Sequence, residues 1–366
     1  MKNLAIFFGG KSPEHDISVI TGVYALNSLK KADLVVLPIY VSRSGEWYTG
    51  ESLFDLDNYK NLDLKKLKRV TLIPGVCALY ELKKDKLKRI TAISCALNCC
   101  HGGDGENGNL SGLIELSKIA LCSPSALSSA LFMDKNKTKT ALKGIGVKTL
   151  PSIVYKDKTI TQKQLEGYEF PLIVKPNFLG SSIGIRKVKN YDELLSALSY
   201  ALKFSSEVLI EPCLENFTEI NCAVYKNSNG DIVVSECERP VSSEDILSFS
   251  DKYKNGTREF PARISKKISD KIKETAEKIY LSFIERGVIR IDFFIVDDKV
   301  LVNEINTVPG SLSSYLFTST IKEFSEMLIE IVKAGEKEFI KKQTLLTEYK
   351  SGILTSFGSK SAKRLH

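Results

Sequence analysis

Residues 288–306 restrict the possible folds most strongly, because they combine two β-forming runs with a short acidic turn. The runs are VIRIDFFIV (288–296) and VLVNEIN (300–306). This pattern predicts an antiparallel hairpin. If the hairpin is centred on Asp298, Asp292 pairs with Glu304 and Arg290 pairs with Asn306. Side chains alternate along a strand, so these four polar residues are predicted to share one face. The opposite face is predicted to be apolar and buried, and it consists of Ile291, Phe293, Ile295, Leu301 and Ile305.

The polar face of this hairpin has the composition of a magnesium site. Asp292 and Glu304 supply carboxylates and Asn306 an amide oxygen, and such hard oxygen donors suit Mg²⁺. With so few protein ligands the cation normally shares its shell with phosphate oxygens, and Arg290 would complement developing negative charge. The alternative is a solvated polar face with cross-strand salt bridges. A one-residue slip of the register would remove the site.

The remaining sequence alternates between strand and helix patterns. Up to residue 122, strands are predicted at 4–8, 34–40 and 90–99, and helices at 18–29 and 110–119. This alternation predicts an α/β unit with a mostly parallel sheet and ligands at the carboxyl ends of its strands. Ser123-Pro124-Ser125 is a predicted domain boundary. Beyond it, helices are predicted at 126–144, 191–203, 265–286 and 321–342, and strands at 171–175, 208–211, 219–225 and 231–237.

The composition is that of a folded protein with small anionic ligands. The 366 residues suffice for two or three domains, and 43% hydrophobic with 26% charged residues exclude a disordered chain. The net charge is 52 − 44 = +8, without a block of five basic residues, so no nucleic-acid partner is expected. Since no apolar run reaches about 18 residues, no membrane span is expected. The short apolar N-terminus is interpreted as a core strand rather than a signal peptide, which predicts a cytoplasmic protein.

Two glycine motifs resemble nucleotide sites but fail in their details. Gly10-Lys11-Ser12 lacks the earlier glycine of a P-loop, because Ala5 stands there. The residues Gly103, Gly105 and Gly108 have dinucleotide-binding spacing, but no acidic residue for the ribose follows at the expected distance. The second motif is therefore interpreted as a loop lining the site of another ligand.

Eight cysteines are expected to be reduced thiols in such a protein. Cys95, Cys99, Cys100 and His101 suggest a metal site, but they lack a CxxC pair and lie in an apolar run. Buried thiols are the preferred interpretation.

Four further residues are candidate ligand contacts. Lys175 ends an apolar run before the loop Gly180-Ser-Ser-Ile-Gly184, an arrangement that can surround a phosphate. Glu211 ends the run 208–211 and could contact an adenine edge. His101 follows a predicted strand beside the glycine loop, which favours a ligand contact over a core position. Glu14 precedes a helix that Asp16 or Ser18 would cap better, so Glu14 could bind an amine.

Seven ordered motifs together resemble the D-alanine–D-alanine ligases, a family with the ATP-grasp fold. The resemblance extends over about residues 3–330. The motifs are GGKSPEHDIS (9–18), HGGDGENGNLSG (101–112), MDKNKTK (133–139), PLIVKPNFLGSSIG (171–184), LIEPCL (209–214), RIDFF (290–294) and NEINTVPG (303–310). The resemblance implies an α/β (α+β) protein of three domains, with a Rossmann-like N-terminal parallel sheet. The domains would be residues 1–124 (the first D-alanine site), 125–212 (phosphate loop) and 213–366 (Mg²⁺ site and lid).

The resemblance also implies roles for individual residues. Two Mg²⁺ ions, which Mn²⁺ could replace, would be bound by Asp292, Glu304 and Asn306. ATP would be bound by Lys135, Lys175, Ser181, Ser182, Glu211, Cys213, Leu214, Glu219 and Lys252. The first D-alanine would contact Glu14 through its ammonium group and His101 near its carboxylate. Arg290 and the backbone of Gly310 would form the oxyanion site. Tyr253 would belong to a lid that meets Ser181 and Glu14.

The implied reaction has two steps and uses ATP as a co-substrate. The carboxylate of one D-alanine attacks the γ-phosphate to give D-alanyl phosphate and ADP. The amine of a second D-alanine then displaces phosphate, and the dipeptide serves peptidoglycan precursor synthesis. Phosphoryl transfer depends on alignment and charge neutralisation, and the acyl phosphate must be protected from water by a lid. A homodimer is also a family expectation.

Some positions depart from the family pattern, and rival functions stay open. Asp16, Asn107 and Asn109 replace residues more common in the family. Tyr315 stands where a serine usually holds the second substrate's carboxylate, so Ser314 and Tyr315 are both candidates for that contact. The rivals are a D-alanine–D-lactate ligase, another ATP-grasp carboxylate–amine ligase and a non-catalytic nucleotide-binding regulator. Tyr253 argues against the first, since the resemblance links this tyrosine to dipeptide formation.

Overall fold

The N-terminal sheet is built around a strand that is buried on both faces. The computed structural model describes residues 2–84, 86–156, 160–241 and 257–353. Along the first strand, Leu4, Ile6 and Phe8 belong to one hydrophobic cluster, whereas Ala5 and Phe7 belong to another. Burial on both faces is typical of the interior of a parallel sheet. The strands are β1 (Lys2–Gly9), β2 (Leu34–Val41), β3 (Trp47–Thr49), β4 (Lys68–Ile73), β5 (Val76–Lys83), β6 (Lys86–Ala92), β7 (Cys95–Asn98) and β8 (Ala120–Leu121).

These strands form one sheet in the order β6-β5-β4-β3-β2-β1-β7-β8. The pairs β1–β2, β1–β7 and β7–β8 are parallel, as predicted. The pairs from β2 to β6 are antiparallel and extend the sheet through residues 47–92. The single strand predicted at 90–99 is wrong, because the chain ends β6 at Ala92 and starts β7 at Cys95. β6 lies at one edge of the sheet, whereas β7 lies near the other edge, between β1 and β8.

Helices cover the parallel part of this sheet. They are α1 (His15–Ser28), α2 (Gly103–Glu106) and α3 (Asn109–Leu116). The helix α1 approaches β1 so closely that a Cβ at Gly22 would lie 2.3 Å from the Cβ of Phe8. Only glycine permits this contact. Three short 3-10 helices (Glu51–Phe54, Leu56–Asn61 and Leu64–Lys66) lie between β3 and β4.

The middle of the chain forms a second, four-stranded sheet. Its elements are α4 (Ala126–Met133), α5 (Lys135–Gly144), β9 (Ile153–Tyr155), β10 (Leu172–Pro176), β11 (Arg186–Val188), α6 (Tyr191–Ala201) and β12 (Val208–Pro212). The strands are antiparallel in the order β11-β10-β12-β9. The helix predicted at 126–144 is interrupted at Asp134, whose extended backbone and side chain cap α5 by accepting from Lys137 N–H at 3.0 Å. An aspartate is well suited to this capping position.

A third sheet, also of four strands, contains the predicted hairpin. The elements are β13 (Thr218–Lys226), β14 (Ile232–Val234), β15 (Arg239–Val241), β16 (Thr257–Glu259), α7 (Lys266–Phe283), β17 (Val288–Val296), β18 (Lys299–Asn306), a 3-10 turn (Gly310–Leu316) and α8 (Ile321–Gln343). The sheet order is β14-β13-β17-β18, and β15 pairs separately with β16. The helix α8 returns to the N-terminal sheet, where Phe324, Leu328 and Ile331 pack in the cluster of Leu4 and Ile6. The domain boundaries at 124 and 212 stay a prediction.

The hairpin has the predicted pairing at the candidate site and a different one at its tip. Arg290 pairs with Asn306 and Asp292 with Glu304, but beyond them Phe293 pairs with Val302. A β-bulge therefore inserts Asn303 into β18. It reverses the alternation beyond that point, which is the effect expected of one extra residue. The predicted core position of Leu301 is wrong, because Val302 enters the core there with 1% of its surface exposed.

Within residues 2–84, 86–156, 160–241 and 257–353, no helix is both long enough and apolar enough to span a membrane.

The tip of the hairpin provides a test of the turn geometry. Asp297 and Asp298 both have positive φ values, 48° and 58°, as in a type I′ turn that favours glycine at the second position. We expect Asp298→Gly to stabilise the protein by about 1 kcal/mol, since the left-handed conformation is costly for other residues. Thermal unfolding measures this change, with Asp298→Val as the control expected to lower Tm. A lower Tm for the glycine variant would contradict the turn.

Candidate active site

A cleft lies between the second and third sheets. One wall comes from β10, β11 and β12, and the other from β13, β17 and β18. Seven of the predicted ATP-binding residues line it, together with the metal candidate Glu304. They are Lys135, Lys175, Ser182, Glu211, Cys213, Leu214 and Glu219. The two antiparallel sheets thus bring together residues that are up to 169 positions apart, from Lys135 to Glu304 (304 − 135).

A buried carboxylate between two lysines lies in this cleft. Glu211 Oε2 is 2.8 Å from Lys175 Nζ, and Glu211 Oε1 is 2.6 Å from Lys139 Nζ. Burial alone would raise the pKa of Glu211, but the two lysines lower it below its usual value. The carboxylate is therefore ionised, and the three groups carry a net positive charge that suits phosphate. Burial lowers the pKa of Lys139, although Glu211 opposes this shift.

Lys139 is a residue that the sequence analysis missed. It lies four positions after Lys135 on α5, so both side chains project from one face of the helix. Its ammonium group also donates to the Leu150 carbonyl at 2.7 Å. The i,i+4 spacing within MDKNKTK was the available signal.

The bulge in β18 directs two side chains toward the lysines. The inserted Asn303 accepts a hydrogen bond from Lys175 Nζ at 3.3 Å, and Glu304 lies 3.6 Å from Lys135 Nζ. Lys135 also donates to the Leu179 carbonyl at 2.8 Å, next to the Gly/Ser loop. Bulges beside functional sites commonly re-aim side chains in this way. Strand alternation gives no signal for Asn303, because it assigns the odd-numbered positions of this hairpin to the buried face.

The Gly/Ser loop (residues 180–184) contacts the N-terminal unit, which consists of the first sheet and the helices that cover it. Ser181 donates a hydrogen bond to the Glu14 carboxylate, and both residues are buried. A Cβ at Gly180 would lie 3.3 Å from Glu14 Oε1. Ser181 and Ser182 have φ values of 54° and 58°, a backbone conformation that is uncommon for serine. The structure therefore brings Glu14 and Ser181 together, as the resemblance implied.

A second acidic residue, Glu106, lies beside Glu14 and was also missed as a site residue. Its Oε1 accepts hydrogen bonds from the N–H groups of Thr307 and Val308, both at 3.1 Å. Burial, followed by repulsion from Glu14, raises the pKa of Glu106 to about 7. A small cavity is lined by both glutamates together with Lys135, Glu304 and Asn306. The available signal was its position in the glycine-rich loop 101–112, which follows a predicted strand.

His101 is buried beside the segment that contains Thr307 and Val308. Its Nε2 lies 3.0 Å from Thr21 Oγ1, and 4% of the residue is exposed. Burial lowers the pKa of His101 to about 4, so the imidazole is neutral at neutral pH. The neighbouring thiols Cys95, Cys99 and Cys100 are buried and form no disulfide, which confirms the prediction of buried thiols.

The candidate metal residues converge at the base of the hairpin. Arg290 donates to both carboxylate oxygens of Asp292, through Nε at 2.7 Å and a terminal nitrogen at 2.9 Å. Asn306 donates to Asp292 Oδ2 at 3.2 Å. Among the described residues, no three His, Cys, Asp or Glu side chains form a metal-binding group. The set of two carboxylates and one amide nevertheless fits Mg²⁺ that completes its shell with phosphate oxygens.

The second-substrate candidates lie on the 3-10 turn after the hairpin. Gly310 begins this turn, and Ser314 is 3% exposed. Tyr315 contacts Arg290, and its ring lies 4.7 Å from the guanidinium carbon of Arg258. The two lid residues named from the resemblance, Lys252 and Tyr253, lie outside the described residues.

The two facing antiparallel sheets, with lysines between them and carboxylates on the hairpin, define an ATP-grasp enzyme. Sequence models named D-ala D-ala ligase N-terminus and D-ala D-ala ligase C-terminus match residues 3–124 and 143–333. A D-alanine–D-alanine ligase of Thermosipho melanesiensis is 39% identical, covering 93% of this chain and 95% of the relative. One from Helicobacter pylori is 34% identical, covering 93% and 97%.

Two solved structures are similar over nearly the whole chain. The D-alanine–D-alanine ligase of Helicobacter pylori has a TM-score of 0.77 at 30% identity, covering 92% of this chain and 98% of that one. The VanG D-Ala:D-Ser ligase of Enterococcus faecalis has a TM-score of 0.78 at 28% identity, covering 91% and 99%. The chain belongs to the D-alanine–D-alanine ligase family, and its fold is ATP-grasp, as expected. It is an ATP-dependent ligase that joins two D-alanines.

The buried lysine–glutamate cluster makes a prediction for stability. Glu211→Gln would leave the ammonium groups of Lys139 and Lys175 buried without a counter-charge, so we expect a loss of about 3–5 kcal/mol, seen as a lower Tm. The control is Lys156→Ala, which removes the exposed partner of Glu207 and should change stability by less than about 1 kcal/mol. Equal effects would contradict the role of the cluster.

Burial of His101 predicts a pH effect. Its pKa is about 4 in the folded protein, against about 6.5 in an unfolded chain. Between these values the unfolded state binds a proton that the folded state does not, so stability is lost as the pH falls. We expect the wild type to lose more Tm than His101→Asn when the pH is lowered from about 7 to about 5. Equal losses would exclude a neutral buried imidazole.

Proposed function

We propose that the chain forms D-alanyl-D-alanine through D-alanyl phosphate, in the two steps that the family resemblance implies. The observation that carries the proposal is the convergence of Lys135, Lys175 and Arg290 with the carboxylates of Asp292 and Glu304. Cations aligned along a cleft neutralise the charge that develops in phosphoryl transfer. The product would serve peptidoglycan precursor synthesis.

ATP would occupy the cleft between the two four-stranded sheets. Its phosphates would contact Lys135 and Lys175 and be covered by the loop of Ser181 and Ser182. The adenine and ribose would lie near Glu211, Glu219 and the backbone of Cys213 and Leu214. The Cys213 N–H already donates to the Pro171 carbonyl at 3.2 Å, so the Cys213 carbonyl is the better candidate for an adenine contact.

Mg²⁺, with Mn²⁺ as a substitute, would be held by Asp292, Glu304 and Asn306. When bound, it would neutralise phosphate charge. Asn306 donates to Asp292 through its amide nitrogen, which leaves its amide oxygen as the atom that would bind the metal, and Asp292 would exchange part of its contact with Arg290 for the metal. The released guanidinium could then face the reacting carboxyl group, where the backbone of Gly310 would provide a second donor.

The first D-alanine would lie in the small cavity next to Glu14, with its ammonium group on that carboxylate. Glu106 adds a second acidic group to the same cavity. The proposed lid contribution of Lys252 and Tyr253, the second-substrate role of Ser314 and Tyr315, and the homodimer stay predictions. The cytoplasmic location likewise stays a prediction.

One assay tests the proposal against its rivals. With ATP and Mg²⁺ present, ADP release should be rapid with D-alanine alone and slow with L-alanine. Turnover that requires D-lactate in addition to D-alanine would favour a depsipeptide ligase. ATP binding without turnover on any amino acid would favour a regulator, and either result would refute the proposal.

The role of Glu304 can be tested on the hairpin itself. We expect Glu304→Gln to lower kcat by about 100-fold or more, because a charge that acts in the transition state is lost. Its Tm should change by less than about 2 °C, since its contact with Lys135 is long and partly exposed. Asp298→Asn, at the tip of the same hairpin, is the matched control and should keep full activity. A collapse of Tm in Glu304→Gln would instead assign it a structural role.

A further inference from the structure

Both ring nitrogens of His101 have partners within the protein. Nε2 lies 3.0 Å from the Thr21 hydroxyl. On the other side, a hydrogen bond with the Val308 backbone raises the pKa of His101, which is the effect of an accepting carbonyl. The Val308 N–H is already donated to Glu106 Oε1 at 3.1 Å. The carbonyl of Val308 is therefore the group that faces the imidazole.

Thr21 determines which nitrogen carries the proton. Its Oγ1 accepts the Ser311 N–H at 3.0 Å. Within the described part of the chain, the other contact of this hydroxyl is His101 Nε2, and Thr21 is 1% exposed. A hydroxyl has one proton to donate, and Nε2 is the acceptor in reach. The imidazole is therefore the Nδ1–H tautomer, donating to Val308 and accepting from Thr21.

The backbone that these bonds hold is in an uncommon conformation. Ser311, Leu312 and Ser313 have φ values of 49°, 51° and 52°. Consecutive left-handed residues other than glycine persist only where the surrounding structure holds them. Thr21 binds the first of them, and His101 binds Val308, two residues before Gly310. The N-terminal unit thus fixes both sides of the backbone proposed for the oxyanion site.

We propose that Thr21 and His101 are positioning residues, which hold the backbone at 308–311 for catalysis, and that the imidazole does not bind the carboxylate of the first D-alanine. This inference rests on the proposed function, because it concerns the oxyanion site of that reaction. It replaces the role that the resemblance implied for His101. To donate a proton to a substrate carboxylate, the imidazole would have to abandon Val308 or Thr21 and leave a buried polar group unsatisfied.

The tautomer can be observed directly. In wild-type protein labelled with ¹⁵N-histidine, His101 should appear as neutral Nδ1–H imidazole at neutral pH, with His101→Gln used to assign its signals. Addition of D-alanine and a non-hydrolysable ATP analogue should leave the tautomer unchanged. An Nε2–H tautomer, or protonation when D-alanine binds, would overturn the proposal.

Kinetics separate positioning from substrate binding. Thr21→Val keeps the side-chain shape but removes the hydroxyl. We expect kcat to fall about 10- to 100-fold, because the backbone at 308–311 would no longer be held in alignment with the reacting groups. KM for the first D-alanine should change by less than about 3-fold, because no contact with the ground-state substrate is removed. Thr21→Ser, which keeps the hydroxyl, should restore kcat. The matched control is Ser28→Ala on the same helix, which removes a hydroxyl that donates to the Tyr24 carbonyl.

The outcomes distinguish this inference from the proposed function. A wild type that makes no ADP from D-alanine refutes the proposed function. An active wild type in which Thr21→Val raises KM and leaves kcat unchanged refutes only the positioning role. If Thr21→Val lowers Tm so far that it cannot be assayed, the wild-type tautomer still decides, since an Nε2–H imidazole contradicts the network.

Discussion

The cations of the cleft require carboxylate partners, and the rest of the site is arranged around that requirement. Lys139 and Lys175 share Glu211, and Arg290 holds Asp292 with two hydrogen bonds. A charge buried without a partner is costly. Two of the proposed ligands of Mg²⁺, Asp292 and Glu304, are therefore also the partners of the protein cations Arg290 and Lys135. ATP phosphates would supply alternative negative charge, which would allow Asp292 and Glu304 to exchange protein cations for metal.

The hairpin shows what alternation in a sequence can predict and what it cannot. The pairing of Asp292 with Glu304 was predicted from a hairpin centred on Asp298. It is confirmed, although the turn lies between Val296 and Lys299 and the bulge makes up the difference in register. The bulge at Asn303 was not predictable from alternation, because it accompanies a contact with a distant part of the chain. Val302 N–H donates to the Lys148 carbonyl at 2.9 Å, and Thr149 forms a bridge with Val302. A segment some 150 residues away thus contacts the strand at the bulge.

The dependence on contacts between distant parts of the chain also explains which parts of the fold and the site were missed. The ATP-grasp fold, the site lysines and Glu14 were predicted through ordered motifs. Lys139 becomes informative only when Glu211, 72 positions later (211 − 139), is seen beside it. The antiparallel part of the N-terminal sheet was missed because residues 47–92 combine strands of 3 to 8 residues with 3-10 helices and lack a clear period. Local patterns find elements, whereas long-range pairing decides which strands become neighbours.

Contacts between the N-terminal unit and the turn after β18 join the two halves of the proposed reaction. Glu106 binds the Thr307 and Val308 N–H groups, and Thr21 binds the Ser311 N–H. The residues between them include Gly310, whose backbone is the proposed oxyanion donor. The unit that would hold the first D-alanine through Glu14 thus also fixes the backbone that would stabilise the tetrahedral intermediate. Because alignment of this kind must be maintained to within a fraction of an ångström, several short hydrogen-bonded contacts serve it better than one flexible side chain.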